Sequence, residues 1–435
     1  MTFDPQIVRI DGVYEQRQPG NFMLRIKVQA GIISTEQALR VAEIADRFAG
    51  GSVHLTTRGS IELHWLQQED LAEAWRMLAS VGLTTRGACG GAVRGVVCAM
   101  PGDDGYGDAQ LLARRILGHF THNPRFEGLP KKFKIGVFTG CGDGRHLIQD
   151  LSFILRDGDD GGRRYDVWVA GGLGREPHAA FLLEEGLAGD RLLPLAEAII
   201  TIYRELVPKP KRLKHLVRER GREEFTALVR ARAAELPSLP LGAGLAVPLT
   251  PGSAEGTAER LTAGIFAGEL STKGLVALAE FARQHAGGYM VVTGEQNILF
   301  ILEPGASREE AVRALAAAGF GGDSPAERVC FRVCPGNHEC KMGLAPTRDL
   351  AREVIGAMGE AGRRLSWSIS GCPNSCSHPQ LADAGIVTVK SVKDETGQRH
   401  PRFDLYRRFG TDGFGVVVRA GIGYDELLEA VREQA

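Results

Sequence analysis

No stretch of the sequence reaches 18 consecutive apolar residues, so no segment has the length that a membrane-spanning helix needs. The first residues, MTFDPQIVRIDGVYEQ, lack the basic and apolar regions of a secretory signal, and the chain is expected in the cytoplasm. Net charge is nearly absent: 52 Lys and Arg face 53 Asp and Glu, for a formal charge of -1. That balance argues against a nucleic-acid coat or a polybasic membrane anchor, so basic residues must act locally if they act at all. The glycine run Gly171-Gly172-Leu173-Gly174 is not the GxGxxG of a dinucleotide site, and no flavin or nicotinamide domain is visible.

What is present is an ordinary globular mixture, 43% hydrophobic and 24% charged, in 435 residues that predict two to four domains. The 56 glycines imply tight turns and close backbone approaches. Sliding the chain by 237 positions lays Gly31 to Leu63 on Gly268 to Phe300 without a gap, and 11 of the 33 pairs are identical. Each copy reads as a strand, a Ser-Thr helix start, an amphipathic helix, a Gly-Gly stop and a second strand (SVHLTTRGSIELHW and GYMVVTGEQNILFIL). That pattern is a ferredoxin-like half-unit used twice. A weaker echo joins KFKIGVFTGCGDG (132–144) to LSWSISGCPNSC (365–376), each an alternating strand ending in Gly-Cys. Residues 234–256, rich in Pro, Gly and Ser, read as the connector, and 192–206 and 223–236 have helical apolar spacing. The expected class is α+β, internally duplicated: ferredoxin-like half-units (1–83 and 246–310) paired into one domain, plus two mixed α+β cofactor-binding domains (84–245 and 311–435).

Five of the eight cysteines, Cys330, Cys334, Cys340, Cys372 and Cys376, fall within 47 residues. In a reducing compartment such a cluster reads as a metal or redox site rather than as disulfides. Cys334 and Cys340 have five residues between them, wide for a structural zinc knuckle, while an iron-sulfur cluster takes four thiolates and tolerates longer loops. An iron-sulfur cluster is therefore favoured over zinc, and over unliganded core cysteines. Cys334 is preferred to Cys330 as a ligand because it lies in the Pro-Gly loop. Cys89, Cys98 and Cys141 read as small buried hydrophobes, and His338 as a loop residue.

The pairing of CPGNHEC with GCPNSC and the following LADAGIV resembles the siroheme and 4Fe-4S signature of the sulfite and nitrite reductase family, with likeness from GVYEQ to RAGIG. The resemblance implies that Cys334, Cys340, Cys372 and Cys376 hold the cluster and that Cys376 also bridges to the siroheme iron. It implies a substrate cage of Arg25, Arg94, Lys132 and Lys134, in which the arginines clamp an oxyanion and the lysines supply protons. Lys132 and Lys134, two apart on a predicted strand, face the same way. Nitrite reductases tend to lack the second lysine, so Lys134 tilts the expectation toward sulfite. Arg58 and Thr56 resemble the family's Thr-x-Arg contact with siroheme carboxylates; His54 stands where another arginine is common. Gly171, Gly172, Gln296 and Asn297 are the further expected cofactor contacts, with an ordinary strand-to-helix turn as the plain reading of the glycines.

The implied activity is six-electron reduction of sulfite to sulfide, fed by a separate ferredoxin or flavoprotein. The alternatives are nitrite reduction, a cobalamin-pathway oxygenase, and a siroheme-carrying electron-transfer protein without catalysis.

Overall fold

The computed structural model describes residues 4–158, 161–240, 259–321 and 329–433. Ser34 and Ser271 open the two repeat helices, each hydroxyl accepting a backbone N–H one turn inside, from Gln37 at 3.2 Å and Gly274 at 3.1 Å. The helices, Thr35–Phe48 and Thr272–His285, stop at Gly50-Gly51 and Gly287-Gly288, all four at positive φ. The segment after each stop, expected as one strand, forms two: Ser52–Leu55 and Ile61–Leu66 in the first copy, Tyr289–Val292 and Ile298–Ile301 in the second. The turns between them, Thr56 to Ser60 and Thr293 to Asn297, break the pairing and carry Arg58 and Gln296.

The half-units are paired more closely than adjacency requires, because each lends a strand to the other. Ile32–Ser34 pairs antiparallel with Tyr289, Met290 and Val291, and Glu269–Ser271 pairs antiparallel with Ser52, Val53 and His54. Both pairings are equivalent under the 237-residue offset. The two helices pack together over one shared apolar core drawn from both copies.

Two five-stranded mixed sheets complete the molecule with one topology. In the first, Val97–Cys98, Ile135–Phe138 and Leu151–Asp157 run parallel, and Arg163–Val169 and Phe181–Ala188 follow antiparallel. The second repeats this with Phe331–Val333, Trp367–Ser370 and Ala384–Lys393, then Arg399–Arg407 and Val416–Ile422. The echoed strands Ile135–Phe138 and Trp367–Ser370 occupy the same place, but every residue of both is buried rather than alternating. A strand inside a parallel run is covered on both faces, which removes the in-out pattern.

The helices Leu192–Leu206 and Arg222–Ala234 form where the spacing predicts them, and the connector from 241 onward lies outside the described residues. No helix among the described residues is long and apolar enough to cross a membrane. Cys89 and Cys98 are buried, but Cys141 is exposed, against expectation. The chain has already left the end of Ile135–Phe138 when it reaches Cys141, in the loop that corresponds to the one carrying Cys372.

Candidate cofactor and oxyanion site

Phe331–Val333 and Trp367–Ser370 are neighbouring parallel strands, so the loops leaving their C-terminal ends lie side by side. Cys334 and Cys340 come from the first loop, Cys372 and Cys376 from the second. The loops are tied directly: Gly371 N donates to Cys334 Sγ at 3.2 Å, and Leu344 N to Gly371 O at 2.7 Å. Their approach depends on glycine, since a Cβ on Gly343 would sit 2.2 Å from the carbonyl carbon of Gly336. Cys330 is at the opposite end of the strand from Cys334, and its thiol donates to Glu295 Oε2 at 3.3 Å. Burial, with Glu295 next, pushes that thiol to about 12. Burial likewise raises Cys334, Cys340 and Cys372, and for each the next cause is Cys376. The four thiols are thus electrostatic neighbours.

Cys334 and Cys376 also line a cavity. Six cations line it, Arg25, Lys27, Arg58, Arg94, Lys132 and Lys134, against a single carboxylate, Glu62. Cations at that density are costly unless an anion meets them. A siroheme, with its eight carboxylates, and an oxyanion fit this wall.

Each cation is held by a different device. Arg25, on strand Phe22–Ile26, donates Nε to Glu62 Oε1 at 2.8 Å, with Nη2 on the same oxygen. Burial works against its charge, but Glu62 outweighs burial and raises the pKa. Arg94 spends Nη1 on Ala88 O and Nη2 on Gly90 O at 2.8 Å, while its buried Nε has no partner among the described residues. Arg58 reaches Gln149 Oε1 at 2.8 Å and Gly95 O at 2.7 Å; burial and then Arg94 lower it to about 9.

Lys132 and Lys134 both line the cavity, and Phe133 between them is fully buried in the core. The period-two reading describes them correctly, although the regular strand begins only at Ile135. Burial lowers Lys132 to about 8 and takes Lys134 well below the ordinary lysine value, with Lys132 the next cause for Lys134. The backbone of Lys134 is fixed by Asp150, whose Oδ2 accepts Lys134 N at 2.8 Å. Asp150 is fully buried and takes a two-point bond from Arg212, at 3.0 and 2.7 Å.

The expected peripheral contacts divide. Thr56 lines the cavity, and its hydroxyl accepts Arg58 N and Ser60 N, shaping the turn that presents Arg58. His54 lines it too, with Nδ1 2.8 Å from Glu269 Oε1 on the exchanged strand; burial opposes its charge, but Glu269 prevails and raises the pKa. Gln296 lines the cavity but spends its amide on Leu55 O (2.7 Å), Val333 O (2.9 Å) and Val333 N (2.6 Å), clamping the residue before Cys334. Asn297 does not line the cavity; its Oδ1 accepts Ile265 N at 2.9 Å. Gly171 and Gly172 stand one layer behind, where a Cβ would strike Leu147 O at 2.2 Å or the Arg212 guanidinium at 3.0 Å. His338 is in the cysteine loop, 3.5 Å from Asp349 Oδ2.

Lys27, Glu62, Asp150 and Arg212 were missed by sequence reasoning. Lys27 is two residues past Arg25, so the argument used for Lys132 and Lys134 would have placed it on the same face. No comparable local signal marks the other three. Thr57 was missed as well: its hydroxyl donates to Cys376 O at 2.9 Å, so a turn of the first copy holds the last cysteine of the second.

A duplicated α+β chain that gathers four thiols in two adjoining loops, two of them at the wall of a cationic cavity, defines an oxidoreductase handling an anionic substrate. The chain belongs to the nitrite and sulphite reductase family. The model described as the nitrite/sulfite reductase ferredoxin-like half domain matches residues 14–81 and 256–318, and that described as the nitrite and sulphite reductase 4Fe-4S domain matches 89–236. The latter match falls on the first mixed sheet, whereas the four cysteines lie in its second copy. Siroheme and a 4Fe-4S cluster are the cofactors that membership carries.

Among similar proteins, "Sulfite reductase (ferredoxin) 2" of Mycolicibacterium paratuberculosis is 28% identical over 464 aligned positions, covering 100% of this chain and 81% of the relative. "Ferredoxin--nitrite reductase" of Synechococcus elongatus is also 28% identical, covering 95% and 86%. The solved structure of the Mycobacterium tuberculosis NirA protein superposes with a TM-score of 0.82 at 23% identity, over 97% of this chain and 84% of that one, a likeness of fold.

Proposed function

We propose that the protein reduces sulfite to sulfide, with electrons delivered singly by a separate low-potential protein of the ferredoxin class. The balance is one hydrogen sulfite, six electrons and seven protons giving hydrogen sulfide and three waters. The observation that carries this reading is the convergence of Arg25, Arg94, Lys132 and Lys134 on one cavity with Cys334 and Cys376 in its wall. When bound, siroheme and the cluster would supply the electrons and the metal at which sulfur is held, and Cys334, Cys340, Cys372 and Cys376 are the residues that would hold the cluster.

The chain's own groups supply the rest. Arg25, oriented by Glu62, and Arg94, oriented by Ala88 O and Gly90 O, present fixed charge to the oxyanion. Lys132 and Lys134 have a depressed proton affinity, so they give protons to departing oxygens more readily than surface lysines do. Arg58 and the Thr56 turn hold cofactor carboxylates.

Nitrite reduction is the second reading, supported by the nitrite reductase of Synechococcus elongatus among the similar proteins. The test is the steady-state kcat/KM for each oxyanion with an artificial low-potential donor. Sulfite is expected to be preferred, and a wide margin for nitrite overturns the sulfite reading. Lys132→Ala is expected to cut sulfite turnover by about a hundredfold, and an unchanged rate removes its proton-donor role.

A further inference from the structure

Each sulfite consumes seven protons, and Lys132 and Lys134 must be recharged between transfers inside a site walled by protein. One side chain of this cavity, Lys27, hydrogen-bonds to the residue that precedes a lining residue of a second cavity. That second cavity is a groove lined by Thr84, Arg86, His122 and Glu127 among others. Lys27 is only 3% exposed and lines the cavity. Its Nζ donates to Val93 O at 3.1 Å and Thr121 Oγ1 at 3.2 Å; among the described residues it has no third acceptor. Thr121, partly exposed, leads into His122, whose Nε2 is 3.1 Å from Thr84 Oγ1 at the groove. Lys27 N in turn donates to Thr84 O at 2.8 Å. Glu127, held by Arg86, is an electrostatic neighbour of both His122 and Lys27. Space for the ammonium is left by Gly87, where a Cβ would lie 2.9 Å from Lys27 Nζ.

We propose that Lys27 is a proton-relay residue, receiving protons from the groove through Thr121 and His122 and passing them to the oxyanion end of the cavity beside Arg94. The proposal rests on the reductase reading above. When the Lys27 N–H breaks toward the cavity, Nζ takes a proton from the Thr121 hydroxyl, and that oxygen is reprotonated from His122 or groove solvent, so no charge accumulates. Burial first, then Arg94, lowers the Lys27 ammonium to about 7, with Glu127 opposing, so exchange falls near neutral pH. Arg94 faces Lys27 from the cavity and Glu127 from the groove side, and Arg86 and His122 are in turn the charged neighbours of Glu127.

The test uses the cofactor-loaded enzyme as wild type, Lys27→Met, Lys27→Arg and His122→Gln. Siroheme absorption and the spectral change on adding sulfite report cofactor content and substrate binding apart from turnover. Lys27→Met is expected to keep both, to lose at least about tenfold in turnover, to lose the limb of the pH profile near neutrality, and to raise the solvent deuterium isotope effect. Lys27→Arg restores charge and hydrogen bonding but does not release its proton, so it is expected to behave like Lys27→Met. A lysine with a purely structural role would be rescued by arginine, and that rescue overturns the relay. So does an unchanged isotope effect in Lys27→Met. Should Lys27→Met lose its cofactor, His122→Gln decides, because it lies outside the cavity: a raised isotope effect supports the relay and an unaltered one refutes it. Wild-type enzyme that reduces neither sulfite nor nitrite overturns the reductase reading and the relay together, whereas active wild type with unaffected variants overturns the relay alone.

Discussion

The pairing of Arg25 with Glu62 allows a prediction with opposite signs in stability and binding. Glu62 is 5% exposed, and one of its oxygens takes both Nε (2.8 Å) and Nη2 of Arg25, while His64 Nε2 stands 3.3 Å from the other. At 2.8 Å and an effective dielectric of about 20, the attraction is roughly 6 kcal/mol, and desolvation offsets much of it. Removing one partner of such a pair costs about 3–5 kcal/mol, the expectation for Glu62→Ala. Glu62→Gln keeps an acceptor for both donors and loses only the charge assistance, about 1–1.5 kcal/mol per bond, for a total of about 2–3 kcal/mol. At about 2–4 °C per kcal/mol for a cooperative unit of roughly 150–250 residues, the Gln variant should melt about 4–12 °C lower. Oxyanion affinity should move the other way, because the carboxylate that repels an anion has gone, while turnover falls as Arg25 loses its orientation. Thermal unfolding, oxyanion titration by absorption and steady-state rates measure the three quantities. Unchanged melting combined with weakened oxyanion binding refutes the assignment of Glu62 as the device that holds Arg25.

Two further outcomes follow from the same packing. Gly343→Ala places a Cβ 2.2 Å from backbone of Gly336 and 2.4 Å from Asn337 N; it should cost at least about 1–3 kcal/mol and lower the iron and acid-labile sulfide found per chain. A fully loaded variant would show that the two cysteine loops need not interleave. His54 has its pKa raised, against burial, by Glu269. Its stabilising contribution is therefore complete below the ordinary histidine value of about 6.5 and is lost as pH rises through the raised folded value. The melting difference between wild type and His54→Gln should shrink as pH rises above about 6.5, and a difference that grows with rising pH contradicts the ion pair.

Period and spacing determined much of this molecule. A 237-residue offset, two Ser-Thr helix starts and two Gly-Gly stops are local signals, and the two helices form between those starts and stops. The Lys-x-Lys spacing made both ammonium groups share a face, because alternation is a property of extended backbone itself. Chemistry legible in residue type, four clustered thiols with Pro and Gly beside them, pointed to two loops that the fold sets side by side. The exchange of Ile32–Ser34 for Glu269–Ser271 was not legible, since a strand's pattern says which face is buried but not which partner it pairs with. Nor was the burial of Trp367–Ser370 on both faces, or the exposure of Cys141, both of which depend on what covers a strand and where the chain leaves it. Tertiary structure also decided which ordinary residues the site needs. Glu62, Asp150 and Arg212 carry no motif, yet they fix Arg25 and Lys134 because folding brings distant charges together in a low-dielectric interior, where each must find a partner.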